Sequence, residues 1–352
     1  MKVKLEDVCE RGTSNLKQSD IAKTSGDYPI YGASGYIGNT NFYHQEKPYV
    51  AIVKDGAGVG RAALYPANSS VIGTMQYLLP KDNVLPKYLF YVVSYMHLEK
   101  YYTGATIPHI YFKDYKNEEF NLDLLERQAE IVEILEKCEK IIEKRKQEIQ
   151  LLDQLIKARF VEMFGNPVLN DKGWEQKSLG EITTKIGSGA TPKGGKEAYQ
   201  EEGITLIRSM NVHNGQFEYK DLAHISDEQA SKLDNVTIEE DDVLLNITGA
   251  SVARSCVVPN EILPARVNQH VCIIRCKDCI IPEFLNKLLI DDNYQDLLWS
   301  IAGSGATRES ITKQQVENLQ IILPMLELQK EFMAFCHQVT KSKLLEFSSL
   351  QN

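Results

Sequence analysis

A glycine-rich segment of this chain carries two lysines that could contact phosphate groups. Residues 187–196, GSGATPKGGK, contain Lys193 and Lys196. The segment does not match a Walker A loop, because Gly195 stands where that motif requires lysine. It is interpreted either as a flexible loop whose lysines contact phosphate groups or as a plain solvent loop.

A second glycine cluster, residues 56–60 (GAGVG), resembles a dinucleotide-binding fingerprint. That fingerprint must open a helix, whereas the residues after this cluster predict another strand. We therefore predict a hairpin with a basic rim formed by Lys54 and Arg61.

The cysteines allow a metal site but do not favour one. Cys276 and Cys279 form a CxxC pair with Cys272 just before it. No second CxxC and no histidine pair completes four zinc ligands, so a turn with small buried side chains is favoured. The odd total of 7 cysteines also argues against a disulfide framework.

Motifs for nuclease, methyltransferase or helicase chemistry are absent from the sequence. Asn166-Pro167-Val168 breaks the Asn-Pro-Pro-aromatic pattern of adenine methyltransferases. Asp241-Asp242 is interpreted as a solvated acidic turn. We predict a chain that is not an enzyme and that needs no cofactor and no metal.

Charge is distributed unevenly over the 352 residues, whose net charge is −9. Residues 1–120 carry 13 basic and 12 acidic side chains, whereas residues 166–320 carry 15 and 23. Binding to a polyanion would therefore need local basic faces or a basic partner. No apolar run of about 18 residues predicts a membrane helix, and no signal peptide is evident, so a cytoplasmic protein is expected.

The chain repeats itself with a period near 200 residues, which indicates domain duplication. The matches occur in the same order in both halves, with small changes of offset that loop insertions would cause. The paired segments are 5–8 with 179–182, 49–57 with 242–250, 81–86 with 277–282, 104–110 with 305–311, and 125–128 with 326–329.

Each half shows the same predicted order of elements: a mostly β region, a short helix, a Gly-Ala-Thr loop and a long helix. Proline at the first turn supports both short helices, at 86–96 and 282–289. Apolar runs between turn residues predict strands. These strands are Val50–Val53, Ala62–Tyr65, Gln76–Leu79, Val243–Ile247, Ser255–Val258 and Val271–Arg275.

A helix of about 60 Å is predicted from Leu124 to about Phe164, because no proline or glycine interrupts this stretch. Its apolar residues recur with the 4-3 spacing of a coiled coil, and a second, shorter helix is predicted from about Met325 to Leu350. The seam residues are Ile131, Leu135, Cys138, Ile142, Arg145, Ile149, Leu152 and Ile156, widened by Ile134, Ile141, Leu151 and Leu155. The second helix presents Leu328, Phe332, Phe335, Val339, Leu344, Leu345 and Phe347.

The ordered, repeated set of motifs resembles the specificity subunits of Type I restriction–modification systems over the whole chain. The matching residues are Gly104–Ile110 and Gly305–Ile311, Leu125–Gln128 and Leu326–Gln329, and Lys172-Gly173-Trp174-Glu175 with Leu179-Gly180-Glu181. One departure is Glu240-Asp241-Asp242, where the family often has Gly-Asp before a strand.

The resemblance implies an α+β fold, with two similar mostly-β target-recognition domains and a pair of long antiparallel coiled-coil helices between them. The predicted segments are a first recognition domain (1–120), a central spacer helix (121–165), a second recognition domain (166–321) and a C-terminal spacer helix (322–352). It further implies that each domain recognises one half of a split target in double-stranded DNA. Methyltransferase subunits would bind the helices, and motor–nuclease subunits would join the complex.

Candidate DNA contacts follow from residue chemistry, since Arg, Lys and Asn suit base edges and Lys, Arg, Ser and Thr suit phosphates. The alternative for each charged candidate is a surface or intradomain salt bridge. The tyrosines Tyr28, Tyr31, Tyr36 and Tyr43 either stack on DNA or are half-buried residues of the domain scaffold. The candidates are Lys54, Arg61, Thr106, His109, Tyr111, Lys193, Lys196, Arg208, Asn211, Arg254, Arg266, Thr307 and Arg308.

Two other functions remain open at this point. The same fold could serve as an assembly scaffold that no longer contacts DNA, which the acidic second half favours. It could also serve a system that only methylates DNA. An enzyme ranks last, because no motif supports it.

Overall fold

A computed structural model describes residues 1–21, 25–104, 107–192, 195–303 and 309–351, without the side chains of 20, 21, 196, 198 and 344–351. The chain forms two compact units, Met1–Lys144 and Arg145–Asn352. We call them unit 1 and unit 2. No helix of the described residues is both long and apolar enough to cross a membrane.

Unit 1 is mostly β, and its long helix continues past the unit boundary. Its strands are β1 (Lys2–Lys4), β2 (Cys9–Thr13), β3 (Tyr28–Gly32), β4 (Gly35–Thr40), β5 (Tyr49–Val53), β6 (Ala62–Tyr65), β7 (Ser70–Val71), β8 (Met75–Pro80) and β9 (Glu119–Asn121). Its helices are α1 (Leu5–Val8), α2 (Gln18–Ile21), α3 (Pro86–Tyr95), α4 (Phe112–Tyr115) and α5 (Leu125–Phe164), with a 3₁₀ turn at Leu98–Tyr101.

The described residues of unit 1 form three sheets. The largest is antiparallel, in the order β2-β8-β5-β6, and β5 is buried along its whole length, which explains its unbroken apolar sequence. A smaller sheet has the order β4-β3-β7, in which β3 and β7 are parallel. The third pairs β1 with β9.

Unit 2 contains more elements in the same order. Its strands are β10 (Gln176–Ser178), β11 (Thr183–Ser188), β12 (Ile204–Ile207), β13 (Val212–His213), β14 (Gln216–Phe217), β15 (Ala223–Ile225), β16 (Val243–Asn246), β17 (Ser255–Val257), β18 (Ala265–Val267), β19 (Val271–Cys276) and β20 (Gln320–Ile322). Its helices are α6 (Asp227–Ser231), α7 (Pro282–Leu289), α8 (Asp292–Gly303), α9 (Lys313–Glu317) and α10 (Leu326–Gln351), besides several 3₁₀ turns.

The sheets of unit 2 repeat those of unit 1 strand for strand. The antiparallel sheet β11-β19-β16-β17 corresponds to β2-β8-β5-β6, and the sheet β15-β12-β18 corresponds to β4-β3-β7. Again one pair in the smaller sheet, β12 and β18, is parallel. The pair β10 and β20 corresponds to β1 and β9, whereas the hairpin β13–β14 is an addition of unit 2. The predicted duplication and the α+β fold class are confirmed.

The six predicted strands are β5, β6, β8, β16, β17 and β19, and their bounds differ from the predicted ones by no more than one residue at either end. The four predicted helices are α3, α5, α7 and α10. Helix α8 is a difference, because the sequence analysis placed no helix between α7 and the second Gly-Ala-Thr loop. Its residues Tyr294, Leu298 and Ala302 are buried at a spacing of four. That is the period of an amphipathic helix.

The predicted seam of α5 is buried only in part. Ile156 is buried in unit 2 and Ile131 is half-buried against the core of unit 1, but Cys138 and Ile142 are exposed. Beyond Ile156 the buried residues recur every fourth position, at Phe160 and Phe164. The strict 4-3 spacing ends there because the helix packs on the globular core of unit 2 and not only on another helix.

Within unit 2 the last part of α5 and α10 run antiparallel. Arg159 pairs with Glu331 at 2.9 Å, and Asp153, earlier in α5, pairs with Lys343, later in α10. Phe332 packs edge-on against aromatic rings of α5 in the same core, with Val339 buried there and Phe335 half-buried. Of the apolar side predicted for α10, Leu344, Leu345 and Phe347 have side chains outside the described part.

A buried glutamine ties the long helix of unit 1 to its sheet domain. The Gln128 amide donates to Asn83 O at 2.9 Å and to Asp123 O at 2.8 Å, and its oxygen accepts from Leu85 N at 2.8 Å. Leu85 precedes α3 and Asp123 precedes α5. One side chain therefore satisfies three backbone groups at two helix starts, where backbone groups lack helical partners.

Unit 2 contains the same arrangement. Gln329 donates to Cys279 O at 3.2 Å and to Pro324 O at 2.8 Å, and accepts from Ile281 N at 2.9 Å. Both glutamines are completely buried. We call each of them a glutamine clamp.

Replacing a clamp should destabilise only its own unit. Gln329→Ala leaves buried backbone groups unpaired, and we expect a loss of about 3 kcal/mol. Both tryptophans, Trp174 and Trp299, lie in unit 2. The urea midpoint of unfolding, followed by tryptophan fluorescence, should therefore be lower for Gln329→Ala than for the wild type. It should be unchanged for Gln128→Ala.

The matched control is Gln154→Ala, because Gln154 lies exposed on α5. An equal shift for this variant and Gln329→Ala would contradict the clamp. Gln128→Ala should lower the stability of unit 1, which tryptophan fluorescence does not detect. Faster amide hydrogen exchange in unit 1 should report this loss of stability.

Candidate nucleic-acid interface

A tight turn follows strand β5 in unit 1 and ends in an arginine. Gly60 N donates to Val53 O at 2.8 Å, and Val53 N donates to Arg61 O at 3.0 Å. Gly56 and Gly60 have φ values of 88° and 87°. A side chain at Gly60 would place its Cβ 2.4 Å from Glu99 N, so this position requires glycine.

Unit 2 has the same turn after β16. Ala253 N donates to Asn246 O and Asn246 N donates to Arg254 O, both at 2.8 Å. Gly249 and Ala253 have φ values of 72° and 71°, again left-handed. The turns 56–61 and 249–254, called arginine turns below, thus correspond residue by residue, and Arg61 is equivalent to Arg254.

The two arginines differ in their contacts. Arg61 is exposed, and its guanidinium donates to Ala33 O in the β3–β4 turn. Arg254 is half-buried, and no described residue makes a hydrogen bond or ion pair with its side chain. Five N–H donors at each arginine make it suited to phosphate or guanine.

The Gly-Ala-Thr loop lies beside the arginine turn in both units. Gly56 N donates to Pro108 O and Gly249 N donates to Glu309 O, both at 2.9 Å. The predicted contacts Thr106, Lys193, Thr307 and Arg308 lie outside the described residues, as does the side chain of Lys196.

Three other predicted contacts of unit 1 lie around this loop. His109 Nδ1 donates to Asp55 Oδ1 at 2.7 Å, and Lys54 Nζ lies 3.6 Å from the other carboxylate oxygen. Tyr111 is exposed, with Lys113 over its ring. The structure therefore brings Lys54, Arg61, His109 and the loop together at one end of the main sheet.

In unit 2, Asn211 and Arg266 have structural contacts instead. The Asn211 side chain is buried and bonds to Glu218 O, Lys220 O and Arg208 N. Arg266 is also buried, and it pairs with Asp234 at 2.8 Å. Since both are occupied within the chain, we leave them out of the interface proposed below.

Arg208 is half-buried, with its guanidinium 5.4 Å from the centre of the Tyr199 ring. It also donates to Asp221 O, and its buried Nε has no hydrogen-bond partner among the described residues. A cation on an aromatic face is held in place but keeps donors available. Arg208 therefore remains a candidate.

The tyrosines of unit 1 pack mostly against one another. Tyr28 lies against Tyr43, and Tyr31 stacks on Tyr65 with ring centres 4.1 Å apart. Tyr36 is exposed on the β3–β4 hairpin. Scaffold packing thus explains most of the cluster and leaves Tyr36 accessible.

The interpretation of the acidic turn 241–242 as solvated surface is wrong for Asp242, whereas Asp241 is exposed. Asp242 is completely buried, and both of its oxygens accept from the Arg275 guanidinium at 2.8 Å. This pairing raises the pKa of Arg275. A buried carboxylate needs such a partner, which the sequence pattern alone does not reveal.

Cys276 of the CxxC pair is half-buried, and burial raises the pKa of its thiol to about 12. Among the described residues no three His, Cys, Asp or Glu side chains cluster as metal ligands would.

The long helix α5 exposes an apolar face. Leu151 and Leu155 are 61% and 47% exposed. With Leu152 and Ala158 they line a shallow groove of about 570 Å³ on the part of α5 that belongs to unit 2. Exposed apolar patches of this kind are typical of protein-binding surfaces.

Comparison with known proteins gives consistent results. The family model "Type I restriction modification DNA specificity domain" matches residues 1–152 and 171–349. The MjaIX specificity subunit of a Type I restriction enzyme from Methanocaldococcus jannaschii is 25% identical over 278 residues, which are 72% of this chain and 62% of that protein. A putative specificity subunit, MjaX, from the same organism is 22% identical over 90% of this chain and 72% of its own length.

Solved structures show the same fold. The S subunit of a Type I restriction–modification system from M. genitalium superposes with a TM-score of 0.62 at 15% identity, covering 100% of this chain and 92% of that one. A second structure, from a study of complex assembly and conformational transition of the type I R-M system, also superposes with a TM-score of 0.62. It is 18% identical, and the match covers 100% of this chain and 93% of that one. Since the family model matches both repeats over nearly the whole sequence, the chain belongs to the Type I restriction–modification DNA specificity subunit family.

Proposed function

We propose that this chain is the DNA-reading subunit of a Type I restriction–modification complex and that each unit binds one half of a split target. The observation that carries this is the arginine turn beside the Gly-Ala-Thr loop, which occurs once in each unit with the same backbone bonds. Two equivalent arginines, Arg61 and Arg254, on two similar domains are suited to binding the two half-sites of one duplex. Residues 1–120 and 166–321 are the recognition domains in this proposal, and 121–165 and 322–352 are the helices.

Catalysis is assigned to partner chains. Methyltransferase subunits bind the exposed apolar face of α5, which buries Leu151 and Leu155, and motor–nuclease subunits complete the complex. The chain itself supplies recognition and assembly. This assignment rests on the family and on the apolar groove.

The first test is the methylation pattern that the chain directs. Cells that express it with its methyltransferase subunit should carry methylated adenine in one split motif, detected by sequencing. Exchanging residues 166–321 for the same segment of a related subunit should change one half of that motif and leave the other half intact. Absent methylation, or methylation that ignores the exchange, would favour the scaffold, which the acidic second half supports.

Arg61 and Arg254 should each contribute one phosphate contact. Arg61→Gln and Arg254→Gln should each reduce the slope of log K against log salt by about 0.9, because one fewer counterion is released. Fluorescence anisotropy of labelled duplex with the methyltransferase complex, at several salt concentrations, measures this slope. Lys232→Gln is the control, since Lys232 is exposed and pairs with Glu228. An unchanged slope for both arginine variants would exclude these contacts.

The apolar face of α5 should be needed for assembly. Leu151→Glu combined with Leu155→Glu places two charges in the groove, and we expect the methyltransferase subunit to be lost on co-purification. Gln150→Glu adds a charge at an exposed position of the same helix that does not line the groove. Equal retention of the methyltransferase subunit by both variants would place the partner elsewhere.

A further inference from the structure

Three segments of unit 1 meet in a corner next to the arginine turn. Lys54 N, just after β5, donates to Thr74 O at 3.0 Å, and Ile110 N donates to Lys54 O at 2.9 Å. Asp55 and His109 form a β-bridge there. The end of strand β5, the β7–β8 loop and the Gly-Ala-Thr loop are therefore held together by backbone hydrogen bonds.

Unit 2 has the same corner with the same bonds. Ile247 N, just after β16, donates to His270 O at 2.9 Å, and Ile311 N donates to Ile247 O at 2.8 Å. Thr248 and Ser310 form the corresponding β-bridge. The backbone frame of the corner is thus duplicated in full.

The side chains on this frame are not duplicated. In unit 1 the histidine comes from the Gly-Ala-Thr loop and bonds to a carboxylate, whereas in unit 2 it comes from the β18–β19 loop, and its Nδ1 lies within hydrogen-bonding distance of a hydroxyl group. The clamp glutamines and the turn arginines, in contrast, are the same residue in both units. The three equivalent pairs are Asp55 and Thr248, Thr74 and His270, and His109 and Ser310.

These side chains are accessible and yet fixed in position. The side chains of Asp55 and His109 are 30% and 37% exposed, although they bond to each other. In unit 2, Thr248, His270 and Ser310 are half-buried, and the neighbouring Gln269 is exposed with its oxygen bonded to the Thr191 hydroxyl. Partners that hold a polar side chain in one orientation prepare it for directional hydrogen bonds.

The two corners present different hydrogen-bonding groups. An ionised Asp55 only accepts, which suits the amino group that cytosine displays in the major groove. Gln269 beside His270 both donates and accepts, which suits adenine. A fixed frame with unlike polar groups is what two domains need if they recognise two different half-sites.

We propose that these corners determine sequence specificity: Asp55 with His109 selects a base pair in one half-site, and His270 with Gln269 selects a base pair in the other. This inference rests on the proposed function and adds to it the residues that select bases. The arginine turns bind phosphate next to the corners and carry no sequence information.

The test is selection from a randomised duplex library by the full chain in complex with its methyltransferase subunit, followed by sequencing of bound DNA. Asp55→Asn keeps the shape of the side chain but adds donors, so the preferred base should change at one position of one half-site, by about fivefold or more. His270→Ala should relax one position of the other half-site by a similar factor.

The controls are Asp82→Asn, at an exposed turn of unit 1, and His224→Ala, on β15 of unit 2. Both should select the wild-type motif. If the wild-type complex selects no motif, the proposed function fails. If it selects a split motif and Asp55→Asn selects the same one, the corner proposal is overturned while the proposed function stands. Should His270→Ala fail to fold, His270→Asn, which keeps a hydrogen-bonding side chain, replaces it and should still alter the second half-site.

Discussion

The buried glutamine clamp is the interaction on which the rest of each unit depends. Gln128 and Gln329 each satisfy three backbone groups where a short helix and a long helix begin. A backbone group left unpaired in such a buried place would cost free energy that no neighbouring contact restores. Each clamp therefore holds the start of one long helix against the sheet domain of its own unit.

The duplication separates what the fold requires from what recognition requires. The clamps and the arginine turns are the same in both units: the clamps serve backbone geometry, and in the proposed function the arginine turns bind phosphate, which every DNA site offers. The corner residues differ on an unchanged frame, and in our proposal they contact base edges, which differ from site to site. The hydrogen bonds that build the corner join backbone atoms only, so the same frame carries different side chains in the two units.

Acidity in unit 2 is partly structural. Asp242 is buried with Arg275, and Asp234 pairs with the buried Arg266, so some of the carboxylates neutralise arginines of the same domain. Arg254 has no such partner among the described residues, and it lies at the arginine turn. Net charge alone therefore describes the interface poorly, because the positions of the unpaired cations decide where a polyanion can bind.

The sequence by itself determined the duplication, the strands with unbroken apolar runs and the two long helices, because these features follow from local periodicity and from repeated motifs. It also indicated Arg61 and Arg254 separately, by residue type. Only the tertiary structure decided that these arginines are equivalent and that Asn211 and Asp242 are buried. It also decided that the two units place a histidine from different loops in equivalent corners. The physical reason is that burial and hydrogen-bond partners depend on contacts between residues far apart in the chain, such as Asp55 with His109, and spacing along one sequence does not encode them.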